Sequence, residues 1–306
     1  METDAASDFR MPRGTRIGPP VIRVRDMDRS IAFYEDKFGL QKVRRGHGID
    51  GLQLTGLRTG EGEGDLIVLK DDPEALPPPR SAAGLYHFAV RVPDRRSLAQ
   101  SLLAISGNGV AFEGFADHTV SESLYLHDAE GNGIEIYSDR GEDTWRLFGE
   151  LGGRGGQGDM RGWSALNRPL DIDSLVSEAE GMETSDLRVL PPGTVMGHMH
   201  LKVTDLARSL SFYRDRLGFD VTASLPGIGA AFLSAGGYHH HIGLNTWQSA
   251  GGEGRRQHRA GLDGFWVLLP GAGKLGEMVA SLGLRQEQGV DISLQDPDGI
   301  GITVGV

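Results

Sequence analysis

Cysteine is absent from this 306-residue chain. That removes disulfides, thiolate zinc sites and cysteine nucleophiles together, and leaves His, Asp, Glu and other oxygen donors to hold any metal. Positive charge is also in deficit: the net charge is −11, and Arg far outnumbers Lys within a small cationic set. Duplex nucleic acid calls for a basic footprint, so no nucleic acid partner is expected. No apolar run approaches the roughly 18 residues of a spanning helix, so no membrane partner is expected either. Residues 1–16 are polar and lack the apolar centre of a secretory signal, which makes the cytoplasm the expected location.

Histidine is scarce, at ten residues, yet three stand together in Gly237-Tyr238-His239-His240-His241-Ile242-Gly243-Leu244. Each imidazole carries two polar nitrogens that must be satisfied when buried. Histidine is also the commonest metal ligand and the side chain that exchanges protons near neutral pH. The run follows a Gly-Gly turn and enters an apolar stretch, so it reads as the mouth of a strand.

The chain is long enough for two domains, each with its own core. It also repeats itself. Ile22-Arg23-Val24-Arg25-Asp26 leads to Ser30, Phe33-Tyr34, Asp36 and Gly39; Leu201-Lys202-Val203-Thr204-Asp205 leads to Ser209, Phe212-Tyr213, Asp215 and Gly218. Each copy predicts a strand, an Asp cap and a helix closed by Gly. A second pair is Gly84-Leu85-Tyr86-His87-Phe88 with Gly261-Leu262-Asp263-Gly264-Phe265. It closes at Asp128-Ala129-Glu130-Gly131 and Asp296-Pro297-Asp298-Gly299, each a turn into a last strand. The expected architecture is α+β, with four βαβββ modules near 17–72, 82–138, 195–248 and 260–306. In chain order these form an N-terminal domain over 17–140, a connector over 141–194 and a C-terminal domain over 195–306. The connector carries a Gly-rich stretch from Gly149 to Gly162 and one expected helix, Asp173 to Ala179.

This layout resembles the vicinal oxygen chelate superfamily, whose glyoxalase and extradiol dioxygenase folds are built from cupped mixed sheets. Within it the chain looks most like two-domain, catechol 2,3-dioxygenase-like ring-cleaving enzymes. The segments that carry the resemblance are Gly197-His198-Met199-His200, the triple-His run, Gly84-Leu85-Tyr86-His87, and Asp117-His118-Thr119 through Tyr125 to Gly133-Ile134-Glu135. The family implies one metal-binding His on the first strand of one module, with a second His and a Glu from the first and last strands of its partner. Carried over position by position, the first-strand sites are Pro19, His87, His198 and Gly264, and the last-strand carboxylate is Glu135 where the fourth module has Thr303. Only modules two and three together supply His87, Glu135 and His198, so the resemblance implies one site formed between the domains. Alternation agrees, because His198, His200 and Lys202 share a strand face, as do His87 with Ala89 and Glu135 with Tyr137.

Two imidazoles and one carboxylate leave open positions on a metal, the donor set of non-haem Fe(II) oxygenases; Mn(II), Zn or Ni would also be accepted. The resemblance then implies O2 and a small catechol-like or hydroquinone-like aromatic as substrates, and superfamily members are often homo-oligomers. It points to His240, then His241, as the acid–base group, although strand parity groups His240 with Ile242 and Leu244. Tyr125 and His118 match the family's hydrogen-bonding tyrosine and pocket histidine. His47, His127 and His258 have no such support, and Arg255 to Arg259 reads as a solvated loop. The segments expected to shape the pocket are 44–51, 226–231 and 247–259. A glyoxalase-type lyase or isomerase, or a non-catalytic resistance protein of the same fold, are the rival readings.

Overall fold

The computed structural model describes residues 8–60, 64–153, 158–183, 187–284 and 291–306. Module one consists of β1 (Arg16–Val24), α1 (Met27–Phe38), β2 (Gln41–His47), β3 (Gln53–Arg58) and β4 (Ile67–Asp71). Module two repeats the order with β5 (Gly84–Arg91), α2 (Arg95–Gly107), β6 (Phe112–Asp117), β7 (Ser121–His127) and β8 (Gly133–Asp139). After the connector helices α3 (Glu142–Leu151), α4 (Met160–Ala165) and α5 (Ile172–Ser177) comes module three. It has β9 (Val195–Lys202), α6 (Leu206–Ser211), β10 (Asp220–Leu225), β11 (Ala230–Ser234) and β12 (Ile242–Asn245). Module four contributes β13 (Gly261–Leu268), α7 (Ala272–Ser281), β14 (Ile292–Gln295) and β15 (Gly301–Gly305) among the described residues.

The repeated signals act as expected. Asp26 accepts a hydrogen bond from Arg29 N and Gly39 ends α1 in the left-handed conformation, at φ 71°. Asp205 accepts from Arg208 N at the start of α6, and a π-type turn over Phe212–Arg216 continues that helix. The helix tyrosines reach the turn of the following module: Tyr34 Oη donates to Asp128 at 2.8 Å and Tyr213 Oη donates to Asp296 at 3.1 Å.

Sheet pairing does not follow chain order. The seven-stranded sheet runs β14-β15-β13-β1-β4-β3-β2 and the eight-stranded sheet runs β10-β11-β12-β9-β5-β8-β7-β6, among the described residues. Modules one and four therefore share one sheet and modules two and three share the other. In each sheet the two modules meet through their first strands, antiparallel, β1 on β13 and β5 on β9. The sheets thus cut across the chain-order division at 141–194. One continuous apolar cluster, from Ile22 and Val24 through Phe88 and Val90 to Met199 and Val203, joins both sheets and their helices.

The connector differs from its sequence reading. Besides α5, which falls on the expected helix, it contains α3 and α4, and α3 runs into the Gly-rich stretch. Residues 154–157 of that stretch lie outside the described residues. Gly152 and Gly158 sit against β10: Ser224 N donates to Gly152 O at 2.9 Å, and Gly158 N donates to Ser224 O at 3.2 Å. The connector is thereby stitched to the eight-stranded sheet. No described helix is long and apolar enough to cross a membrane.

Candidate metal centre and catalytic cavity

Three adjacent strands of the eight-stranded sheet set the geometry. In register, His198 of β9 lies beside Ala89 of β5, and Ala89 lies beside Glu135 of β8. His198 and Glu135 therefore flank a residue with only a methyl side chain. His87 stands two residues before Ala89 on the same face. The small residue leaves the space that the three longer ones reach into. One donor atom from each of His87, Glu135 and His198 lies within 4.8 Å of the others, and all three residues are buried.

The Nε2 atoms of His87 and His198 converge on one oxygen, Oε2 of Glu135, at 2.9 and 3.1 Å. His198 is aligned for a hydrogen bond. His87 Nε2 is not, and this buried nitrogen has no hydrogen-bond partner among the described residues. An orphaned imidazole nitrogen pointing at a shared carboxylate oxygen fits a ligand set better than a closed hydrogen-bonded cluster. Burial pushes the His198 pKa down, against the pull of Glu135. Burial alone would raise Glu135, but the two histidines hold it well below the ordinary carboxylate range. Neutral imidazole and ionised carboxylate are the forms that bind a divalent ion. The donor chemistry fits Fe(II), and Mn(II), Zn or Ni as well.

The triad forms one wall of a cavity of about 450 Å³, within the size range of small-molecule sites. Tyr86, Phe148, Trp163, Phe232 and Trp247 supply aromatic walls. Tyr86 lies in this cavity against simple alternation, because a register shift between Leu85 and His87 in the β5–β9 pairing reorients it. Of the segments expected to shape the pocket, Trp247 and Gln248 line it. Residues 44–51 do not; they belong to β2 and its following turn in the other sheet. The connector takes that role instead, through Phe148 of α3, Trp163 of α4, Leu166 and Asn167.

Each acid–base candidate has a definite place. His240 lines the cavity, with its ring centroid 4.1 Å from that of His198 and stacked on Phe148 at 5.7 Å and 13°. His241 does not line it. Its Nδ1 lies 2.9 Å from Ser234 Oγ and accepts from Ala235 N at 3.2 Å, and its pKa is lowered to about 3 by burial. The turn at Gly236 and Gly237, both at positive φ, delivers the run so that neighbouring rings diverge. His239 bonds Asp139 through Nε2 at 2.8 Å and meets His240 through Nδ1. His240 itself is held well below the ordinary imidazole value by burial.

His118 and Tyr125 face each other across the cavity rim, Nε2 to Oη, at 2.6 Å. His118 Nδ1 lies 2.9 Å from the Leu166 carbonyl, so this nitrogen carries the hydrogen and Nε2 accepts from the tyrosine. The His118 turn is held tightly. Thr119 takes φ 71°, unusual for a β-branched residue, and Asp117 beside it accepts from Thr119 N and from Arg140 at 2.6 Å. Burial raises the Tyr125 pKa well above 10.0, so it stays a donor.

His200 completes the wall, and sequence reasoning gave it no role beyond sharing a strand face with His198. Its ring centroid is 4.8 Å from that of His87, its Nε2 is buried without a partner among the described residues, and burial pushes its pKa well below 6.5. The i, i+2 spacing from His198 was the available signal. The connector residues left no comparable signal, because aromatic side chains in a Gly-rich segment have no periodicity to read.

With this geometry in view, comparison with known proteins is decisive on kinship. The model of the glyoxalase/bleomycin resistance protein/dioxygenase superfamily matches residues 16–136 and 195–304. The chain belongs to that superfamily. A catechol-2,3-dioxygenase from Bacillus subtilis (strain 168) is 39% identical over 259 residues, covering 84% of this chain and 83% of its own length. Among solved structures, one from the same Bacillus strain, provisionally described as a dioxygenase, aligns with TM-score 0.61 at 12% identity, covering 96% of this chain and 85% of its own. Glyoxalase I from Zea mays aligns with TM-score 0.52 at 17% identity, covering 95% and 92%. At such identities the two structures speak for the shared fold alone. They agree with the α+β modular architecture described above.

Proposed function

We propose that this protein is a metal-dependent extradiol ring-cleaving dioxygenase, acting on a catechol-like aromatic and O2 at the cavity of His87, Glu135 and His198. The observation that carries the reading is the buried two-His, one-carboxylate group beside His240, in a chain 39% identical to a catechol-2,3-dioxygenase. His87, Glu135 and His198 would hold Fe(II). When bound there, the metal supplies Lewis acidity toward the two ring oxygens and the redox chemistry that brings O2 to the ring.

The chain's own residues do the rest. Tyr86, Phe148, Trp163, Phe232 and Trp247 clamp the ring and exclude water. His240 Nε2 takes a proton from a ring hydroxyl and later returns it to oxygen. Tyr125, fixed by His118, orients a substrate oxygen through its Oη. The test is anaerobic purification with Fe(II), followed by oxygen uptake and the visible ring-cleavage chromophore over a panel of catechols. Oxygen uptake matched to product is expected. No turnover across the panel, with metal-dependent conversion of a methylglyoxal–thiol adduct instead, would make the protein a glyoxalase-type lyase.

A further inference from the structure

A second cavity of about 360 Å³ adjoins the first and shares Tyr86, His127, Gly133 and Gln248 with it. Arg80, Lys202, Arg255, Arg256 and Arg259 line it, against one carboxylate, Glu130. Glu130 is already held by Arg25 at 3.1 Å and Arg29 at 3.4 Å. In a chain of net charge −11 this concentration of cations is a local reversal. The loop that reads as solvated in the sequence is partly a wall: the Arg255 side chain is 9% exposed and paired with Asp263.

Lys202 decides what the cavity is for. It is partly buried, burial lowers its pKa, and no hydrogen bond or ion pair reaches its ammonium among the described residues. The internal repeat supplies the control. Arg23 occupies the corresponding position in the first copy, and there Asp50, Asp72 and Asp263 neutralise it. One sheet satisfies its buried cation from within; the other leaves the equivalent cation facing a cavity. A partly buried cation that lines a cavity with no counter-ion among the described residues is free to pair with an anionic ligand there.

We infer that this cavity is an anion subsite and that the aromatic substrate carries an acidic substituent, a carboxylate in the simplest case, which docks on Lys202 and Arg256. The inference rests on the dioxygenase reading for the identity of the ring. His198, His200 and Lys202 lie along one strand face, and four residues of strand span about 13 Å. That is the reach of a ring at the metal centre plus a short acidic side chain.

The test uses the full chain and two kinds of probe. Calorimetry compares 3-phenylpropanoate with the neutral 3-phenylpropanol, neither of which can be cleaved; turnover compares a dihydroxyphenylpropanoate with 4-methylcatechol. The acid is expected to bind at least about tenfold tighter than the alcohol, in competition with catechol substrates and with a strong salt dependence, as a charge-assisted contact would give. Lys202→Gln should erase that preference and lower the acid-to-neutral ratio of kcat/KM by about tenfold or more. Arg256→Gln, at a side chain 64% exposed and paired with Glu253 at 3.1 Å on the surface, should move both in the same direction at little cost to folding. Equal binding of acid and alcohol, a preference that survives both substitutions, or acid binding that does not compete with catechols would each overturn the proposal. If the acid preference holds while no catechol is cleaved, the anion subsite stands and the dioxygenase reading falls. Cleavage of catechols without the preference gives the reverse.

Discussion

His239 and His240 meet nitrogen to nitrogen, their Nδ1 atoms 2.8 Å apart. One must donate and the other accept. Asp139 fixes the far end of His239. Burial would raise its pKa, but the bond from His239 and the nearby Arg91 keep it lowered, so it is an ionised acceptor. His239 Nε2–H donates to it, and in the tautomer where His239 Nδ1 is the acceptor the hydrogen of His240 sits on its own Nδ1. The Nε2 of His240 is then a free base for the cavity. His240→Asn should lower kcat by about 10²- to 10⁴-fold with metal content unchanged. Asp139→Asn, which touches no cavity atom through His240 directly, should give a smaller loss and shift the acid limb of the pH profile. Full activity in both variants would remove His240 from the mechanism.

Ala89 gives a prediction of a different kind, since it contributes space and no chemistry. It sits in register between His198 and Glu135 and is fully buried. Ala89→Leu would fill the region where the three donors converge. Overpacking of a buried position costs roughly 1–3 kcal/mol, or about 5- to 150-fold in an equilibrium constant. Metal affinity should fall by about that range while far-ultraviolet circular dichroism stays native. A fully metallated Ala89→Leu protein, measured by elemental analysis after dialysis, would place the ion elsewhere.

Much of this was legible in the residues. Asp26 and Asp205, Gly39 and Gly218 announce the two strand–helix copies, because capping and chain reversal depend on local chemistry. Strand alternation placed His87, Glu135 and His198 on faces that could converge. What alternation could not supply was lateral pairing. That modules two and three share a sheet depends on β5 meeting β9 over about a hundred intervening residues, a relationship with no local signature. For the same reason the Tyr34–Asp128 and Tyr213–Asp296 bonds were invisible, although both ends of each belong to repeated motifs. The choice between His240 and His241 turned on the conformation of the Gly-Gly turn, and period-two reasoning fails where a turn precedes a strand.

Stability of the metal-free protein should fall steeply on acidification. His198, His200 and His240 are all lowered from 6.5 by burial, and His241 is lowered to about 3. With depressed folded-state values, the unfolded chain takes up protons first, so stability is complete above pH 6.5 and is lost as pH falls toward the folded values. Glu135, held below 4.5, adds to the loss at lower pH. Asp296 works the other way: raised from 3.8 to about 6, it favours the folded state below 3.8 and loses that contribution as pH rises through 6. Asp71 and Asp128 are raised by burial as well, but four buried histidines outweigh these three carboxyls, so the urea midpoint should decline from pH 6.5 to 4. Saturating divalent metal should raise the midpoint above pH 6.5 and lose its effect as protons displace it. A midpoint flat across this window would mean that the buried histidines titrate normally.

Gly243 isolates the contribution of His200. It lies on β12, in register with His200 on β9, and a Cβ there would stand 2.9 Å from the imidazole ring. Its backbone is ordinary strand that alanine adopts freely, so Gly243→Ala strains nothing except that ring. The ring would have to shift within a shell of aromatic neighbours, among them Tyr86 at 5.1 Å and Phe232 and Trp247 at 5.7 Å between centroids. The nearest atoms to the added Cβ belong to His200 and to none of the three candidate metal ligands, so metal content should remain stoichiometric. Small displacements of a substrate-positioning group cost up to about 10²-fold. The expected result is a tenfold or larger fall in kcat/KM per bound metal, with the pH profile unchanged. If glycine stands there only to suit the sheet, Gly243→Ala will lower the thermal midpoint and leave the kinetics per metal alone.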